Sequence, residues 1–185
     1  MGDRFPEMSG RHQDFVSRQH VFFTATAAPT GRVNVSPRPI TALKIISPTR
    51  MVYMDRIGSG NETAAHLKQS GRMTIMFCAV EGPPQIMRLY GQGRIIPRGM
   101  SEYAELLEAS FNGEEIWGTR QLVLLDIDLV QTSCGFGVPL FDYQGERQSL
   151  DRWAENKSAE DLKAYQRERN MVSMDGFPTG LFEDT

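Results

Sequence analysis

Apolar and polar positions alternate with a period of two through much of the first half of the chain. The segment VFFTATA (residues 21–27) is rich in aromatic and β-branched residues and stops at Ala28-Pro29-Thr30-Gly31, which predicts a strand and a turn. VNVSPR (33–38) sets Val33 and Val35 against Asn34 and Ser36, the pattern of a half-exposed strand. LKII (43–46) and MVYMD (51–55) predict two more strands around the turn 47–50. These connections are too short for parallel crossovers, so the order predicts an antiparallel meander. Pairing of MVYMD with VNVSPR would then bring Arg38 close to the loop that follows residue 55.

The period changes after residue 56. NETAAHLKQSG predicts a helix stopped by Gly71, with Ser59 and Glu62 in the spacing of a capping box. RMTIMFCAV (72–80) predicts a strand buried on both faces or nearly so, with Cys78 as a small buried hydrophobe. After the turn 81–84, QIMRLYGQGRII (85–96) predicts a strand bulged or sharply bent at Gly91 and Gly93. Helices are predicted at residues 12–20 and 101–111, and a last strand at 121–133. From Ser149 onward the chain turns charged and helical, with Leu150, Trp153, Leu162 and Tyr165 as its apolar positions. Six or seven strands, two inserted helices and a helical tail predict a mainly β fold with flanking helices, a small closed or partly split barrel. Residues 1–148 form the expected barrel unit, and 149–185 an extension packed on it or on a partner.

With 185 residues, 20 of them basic and 23 acidic, the chain carries a formal net charge of −3. A single domain is expected, and the missing basic surplus argues against a nucleic-acid partner. No apolar run is long enough to span a membrane, and the polar start MGDRFPEMSGRHQD has no signal-peptide character, so the expected compartment is cytoplasmic. Cys78 and Cys134 make no CxxC pair. His12, His20 and His66 are not spaced as zinc ligands, so no metal is expected.

Chemistry concentrates in YMDRIGSGNETAAHL (53–67). A glycine-containing loop running from a strand into a helix aims backbone N–H groups and the positive dipole end at one point, the geometry of an anion site. Asn61 and Thr63 add side-chain donors, although Gly58 and Gly60 would serve a plain tight turn equally well. Arg38 beside that helix end would complete a phosphate clamp. Arg88 alternates with apolar neighbours and faces either water or a polar cleft.

VNVSPRP, VYMDRIGSGNETAAHL and GRMTIMFCAVEGPPQIMRLYGQGRII together resemble the pyridoxamine 5′-phosphate oxidase-like FMN-binding proteins. The branch with GNET and CGFGVP (134–139) is especially similar. The resemblance runs from residue 15 to about residue 180. It implies a six-stranded antiparallel split barrel, a homodimer, and FMN in clefts between the two subunits. By the same resemblance, Arg38 approaches the flavin phosphate and the Tyr53–Met54 backbone flanks the flavin ring. Asn61, Glu62 and Thr63 replace the family's phosphate-binding Ser-Arg-Lys, and Arg88 matches the strand arginine ahead of Gly91. The expected cofactor set is Ser36, Arg38, Tyr53, Met54, Asp55, Ser59, Gly60, Asn61, Thr63 and Arg88.

The chain's last residues, DGFPTGLFEDT, lack the family's Trp, Arg-Leu and Pro motif, so vitamin B6 oxidation is not expected. CGFGVP and the Trp153 helix are expected to shape the substrate side of the cleft. The implied activity is an FMN-dependent oxidoreductase acting on a small molecule. The alternative is a protein that binds, stores or senses a flavin without turnover. A third possibility is a structural dimer that has lost its ligand.

Overall fold

The computed structural model describes residues 2–183. Met1, Asp184 and Thr185, the outer ends of the two expected units, lie outside the described residues. A two-residue strand β1 (Arg4–Phe5) is followed by helix α1 (Gly10–Ser17), shorter at its C-terminal end than the expected 12–20. Strands β2 (Val21–Ala27) and β3 (Val33–Pro39) form a hairpin. A single 3-10 turn (Ile40–Ala42) leads to a second hairpin, β4 (Leu43–Ser47) and β5 (Arg50–Arg56). Helix α2 (Glu62–Ser70), strands β6 (Arg72–Cys78) and β7 (Ile86–Pro97), helix α3 (Ser101–Phe111) and strand β8 (Thr119–Ser133) complete the barrel. Two helices, α4 (Ser149–Glu155) and α5 (Ala159–Arg169), make up the extension.

All strand pairs are antiparallel, in the order β3-β2-β6-β7-β8-β5-β4, with β1 added to β8. The sheet therefore has eight strands rather than six, and it is not closed by hydrogen bonds. Nor is it a simple meander. The two N-terminal hairpins sit at opposite edges because β6, β7 and β8 insert between them. β3 consequently does not pair with β5, which correct the expected route to Arg38. Curling of the sheet brings those two strands face to face instead.

Period-two sequence becomes two cores on the two faces of the sheet. The inner face packs Phe22, Tyr53, Phe77, Met87, Leu89, Val123 and Leu125. The outer face of β5, β7 and β8 packs Met54, Ile96, Leu122 and Leu124 against Tyr103 and Phe111 of α3. β6 alternates between buried and partly exposed positions, so it is not buried on both faces. Cys78 accordingly sits half-buried, its thiol pushed up by burial against the pull of Arg88. The expected irregularity in β7 is a register shift between Tyr90 and Gly91. A Cβ on Gly91 would lie 1.9 Å from the Asp126 carbonyl oxygen, so only glycine permits this approach of β8. Gly71 ends α2 in the left-handed region (φ 66°), its N–H donating to the Leu67 carbonyl at 3.0 Å.

The extension is tied down at several points. Trp117 Nε1 donates to the Ala154 carbonyl at 2.8 Å, Arg56 pairs with Asp151 at 2.6 Å, and Trp153 packs edge-on against Tyr165. No helix among the described residues is long and apolar enough to cross a membrane.

Candidate functional site

On the hairpin β2–β3, Arg38, Ser36 and Asn34 lie opposite Phe22, Thr24 and Thr26. Residues opposite each other in a strand pair share a face, so these six point inward. Because β3 is an edge strand, the inner face of its polar row opens toward α2. There Asn34 Nδ2 donates to Thr26 Oγ1 and to Thr63 Oγ1, each at 3.2 Å, and Ser36 Oγ donates to Asn34 Oδ1 at 3.1 Å. Thr63 belongs to the first turn of α2, where backbone N–H groups have no intrahelical acceptor. Thr26 Oγ1 also lies 3.1 Å from Nδ1 of the buried His66. The result is a continuous polar strip running from Arg38 to the start of α2.

Arg38 is 15% exposed at its side chain. Its Nε donates to Thr24 Oγ1 at 3.3 Å and its Nη1 to Asp55 Oδ1 at 2.6 Å, while its guanidinium lies 4.8 Å over the Tyr53 ring. Nη2 has no protein partner among the described residues. Asp55 has no exposure, and it accepts in addition from Arg120 Nε at 2.8 Å and Gln121 Nε2 at 2.7 Å. Burial alone would raise the Asp55 carboxyl, but the Arg120 and Arg38 guanidiniums outweigh it and hold it at about 2. Burial pushes the Tyr53 hydroxyl up to about 12 against the opposing effect of Arg38. Two guanidiniums around one ionised carboxylate leave one positive charge in excess.

Of the expected set, the structure brings Ser36, Arg38, Tyr53, Asp55 and Thr63 to one place. The others point elsewhere. Ser59 does not cap α2: the N-cap is Asn61, and no side chain caps it. Asn61 is drawn off instead, its Oδ1 accepting from Gln121 Nε2 at 2.9 Å. The Gly60 carbonyl accepts from Arg120 at 2.9 Å. Glu62 turns to the chain's own tail, accepting from the Met174 N–H at 3.1 and 3.3 Å, so its capping-box role is also corrected. Met54 lies in the outer core. Arg88 is paired across β6 and β7 with Met76, adjacent to the inward Phe77–Met87 pair, and so faces the other side of the sheet. Its Nη1 reaches Ser133 Oγ at 3.4 Å.

Several participants were not singled out from the sequence, Asn34, Arg120 and Asn170 among them. Asn34 was legible as a polar position of β3 but had no partner to point to. Arg120 and Asn170 had no local signal. Asn170 is fully buried, accepts from Arg120 Nη1 at 2.8 Å, and donates to the Gly58 carbonyl at 3.1 Å, thereby fixing the glycine loop.

Chemically, the strip offers one guanidinium with an unused nitrogen, the Thr63 hydroxyl proton and a helix start, positioned by the Asn34 carboxamide and Ser36. This donor set fits a phosphate group. Among the described residues no cluster of metal-binding side chains occurs.

Comparison with known proteins agrees with the architecture. A family profile described as Pyridoxamine 5′-phosphate oxidase matches residues 8–134. The pyridoxamine 5′-phosphate oxidase family protein ustO of Aspergillus flavus is 36% identical over 190 residues, covering 94% of this chain and 76% of that protein. Among solved structures, Group A Streptococcus HupZ superposes with a TM-score of 0.53 at 15% identity, over 66% of this chain and 91% of HupZ. An FAD-binding protein of Mesorhizobium loti superposes with a TM-score of 0.50 at 10% identity, over 71% of this chain and 96% of that one. The two structures share the fold. The family pattern begins just before α1 and ends just after β8, so strands β2 to β8 and the polar strip fall within it, and the chain belongs to the pyridoxamine 5′-phosphate oxidase family.

Proposed function

We propose that the chain binds FMN in the cleft between edge strand β3 and the start of α2, as a cytoplasmic homodimer, and acts as an FMN-dependent oxidoreductase on a small molecule. The observation that carries this reading is the convergence of Arg38, Ser36, Asn34 and Thr63 on one open strip. Arg38 holds the phosphate through Nη2, while Asp55 and Thr24 fix the plane of its guanidinium. Thr63 donates from the side of α2, and Ser36 holds Asn34 in place beside it. Asn61 and Glu62, two of the three positions that replace the family's Ser-Arg-Lys, turn away, so the grip rests on a single guanidinium. Bound flavin would supply hydride transfer, and the chain's share is orientation and electrostatics. The M. loti neighbour is described as an FAD-binding protein, which supports the cofactor class. Support for a homodimer comes from apolar surface left uncovered: Val33 and Val35 on β3, and Phe136, Leu140 and Phe141 in the segment after β8, are all exposed.

A second reading, flavin storage or sensing without turnover, is favoured by one observation. Asp55 and His66, the acid and the imidazole that touch the strip, are both buried, which keeps them from exchanging protons freely with a ligand. The absorption spectrum of the purified protein, followed by extraction of whatever is bound, tests both readings. A flavin spectrum with NAD(P)H consumption supports the enzyme, and a flavin spectrum without consumption supports storage. A colourless protein that does not quench added FMN fluorescence refutes both.

A further inference from the structure

A cavity of about 660 Å³ lies between the mouth of the barrel and the C-terminal extension, on the far side of Asp55 from the polar strip. Its volume falls within the usual range of small-molecule sites. Ile57, Leu162, Leu181 and Phe182 wall it, and Arg120 and Gln166 also line it. Those two polar side chains are nearly withdrawn from solvent, at 6% and 9% exposure. Arg120 uses Nε on Asp55 and Nη1 on Gly60 and Asn170, which leaves Nη2 without a partner among the described residues. The Gln166 carboxamide makes no hydrogen bond among the described residues. Each of these two side chains therefore has a donor free on the cavity wall, where it can meet an acceptor.

The charges decide its sign. Lys163 and Glu160 of α5 also line the cavity and offset each other, and so do Arg98 and Glu183, which are ion-paired outward to Glu115 and Lys68. The Arg38–Asp55–Arg120 group carries one net positive charge, and Arg120 is its face toward the cavity. Phe182 closes one side in a left-handed backbone conformation (φ 62°) that a bulky residue rarely adopts, with the Arg167 guanidinium 4.6 Å over its ring. Residues held in this way gather at ligand clamps.

We propose that this cavity is a second binding site, separate from the flavin strip, for a small amphipathic carboxylate. Its head group is held by Arg120 Nη2 and the Gln166 carboxamide, and its chain lies against Ile57, Leu162, Leu181 and Phe182. Because Asp55 is shared by Arg38 and Arg120, the two chambers have a common wall.

Calorimetric titration of the full chain with sodium octanoate and with 1-octanol tests this, with Trp117 fluorescence as a second readout, since Trp117 lines the same cavity. Octanoate binds saturably at one equivalent per chain, and octanol at least about tenfold more weakly. Gln166→Leu weakens octanoate about tenfold while leaving octanol unchanged. Leu181→Trp fills the cavity and abolishes both, with circular dichroism of each variant verifying the fold. No saturable octanoate binding, equal affinity for octanol, or unchanged affinity in folded variants overturns the proposal. Competitive displacement of FMN by octanoate also overturns it, by assigning the cavity to the flavin. Octanoate binding by a chain that binds no FMN would leave this site standing while refuting the flavin reading.

Discussion

Replacing Arg120 with leucine removes the centre of the buried polar network while keeping the volume near that of the aliphatic stem. Three contacts are lost: to Asp55 Oδ2 at 2.8 Å, to the Gly60 carbonyl at 2.9 Å and to Asn170 Oδ1 at 2.8 Å. Asp55, without exposure, keeps Arg38 and Gln121 as partners. Breaking a buried ion pair by removing one partner costs about 3–5 kcal/mol, because the remaining charge stays desolvated. For a chain of this size each kcal/mol lowers Tm by about 2–4 °C, so Arg120→Leu should lower it by roughly 6–20 °C. Thermal melts at pH 7 followed by far-ultraviolet circular dichroism measure this directly. Adding Asp55→Asn should not restore stability, since it leaves Arg38 without its carboxylate. A fall of less than about 3 °C, or a double variant more stable than the single one, would refute the network as described.

Arg38→Gln should weaken FMN binding about tenfold or more through loss of a charge-assisted contact, measured by fluorescence quenching. An unchanged Kd would place Arg38 outside the site. Acid unfolding carries the signature of Asp55. Its carboxyl is lowered from 3.8 unfolded to about 2 folded, so its contribution of about 2 kcal/mol is complete above pH 4 and is lost as the pH falls toward 2. Urea midpoints between pH 5 and 2.5 should drop accordingly in the native chain and drop less in Asp55→Asn; parallel profiles contradict the assignment. Sedimentation should give twice the chain mass, and Val35→Glu on the exposed side of β3 should shift it toward the monomer; a monomeric native chain would remove the dimer from the account.

How much of this was legible in the sequence depended on the distance over which each contact acts. β2 and its turn followed from local alternation, and Gly71 and Gly91 announced a helix stop and a bulge. Sheet order was not legible, because the insertion of β6, β7 and β8 between two hairpins is a choice among long-range pairings. Arg38 stood out by family likeness. Arg120 did not, since its partners Asp55, Gly60 and Asn170 lie 65, 60 and 50 residues away. The capping-box spacing at Ser59 and Glu62 was correct as a pattern, yet competing partners overrode it: Gln121 claims Asn61, and the Met174 N–H claims Glu62. An apparent anion site at the helix start therefore moved to its β3 side, where Thr63 and Ser36 face Arg38.

The flavin reading depends above all on this strip gripping a phosphate. Titrating the same sample with FMN and with riboflavin, which differ only by that group, tests it most directly. FMN should bind at least about tenfold more tightly than riboflavin, and Arg38→Gln should remove most of the difference. Equal affinities for the two, or a preference for FMN that survives the loss of Arg38, would contradict it.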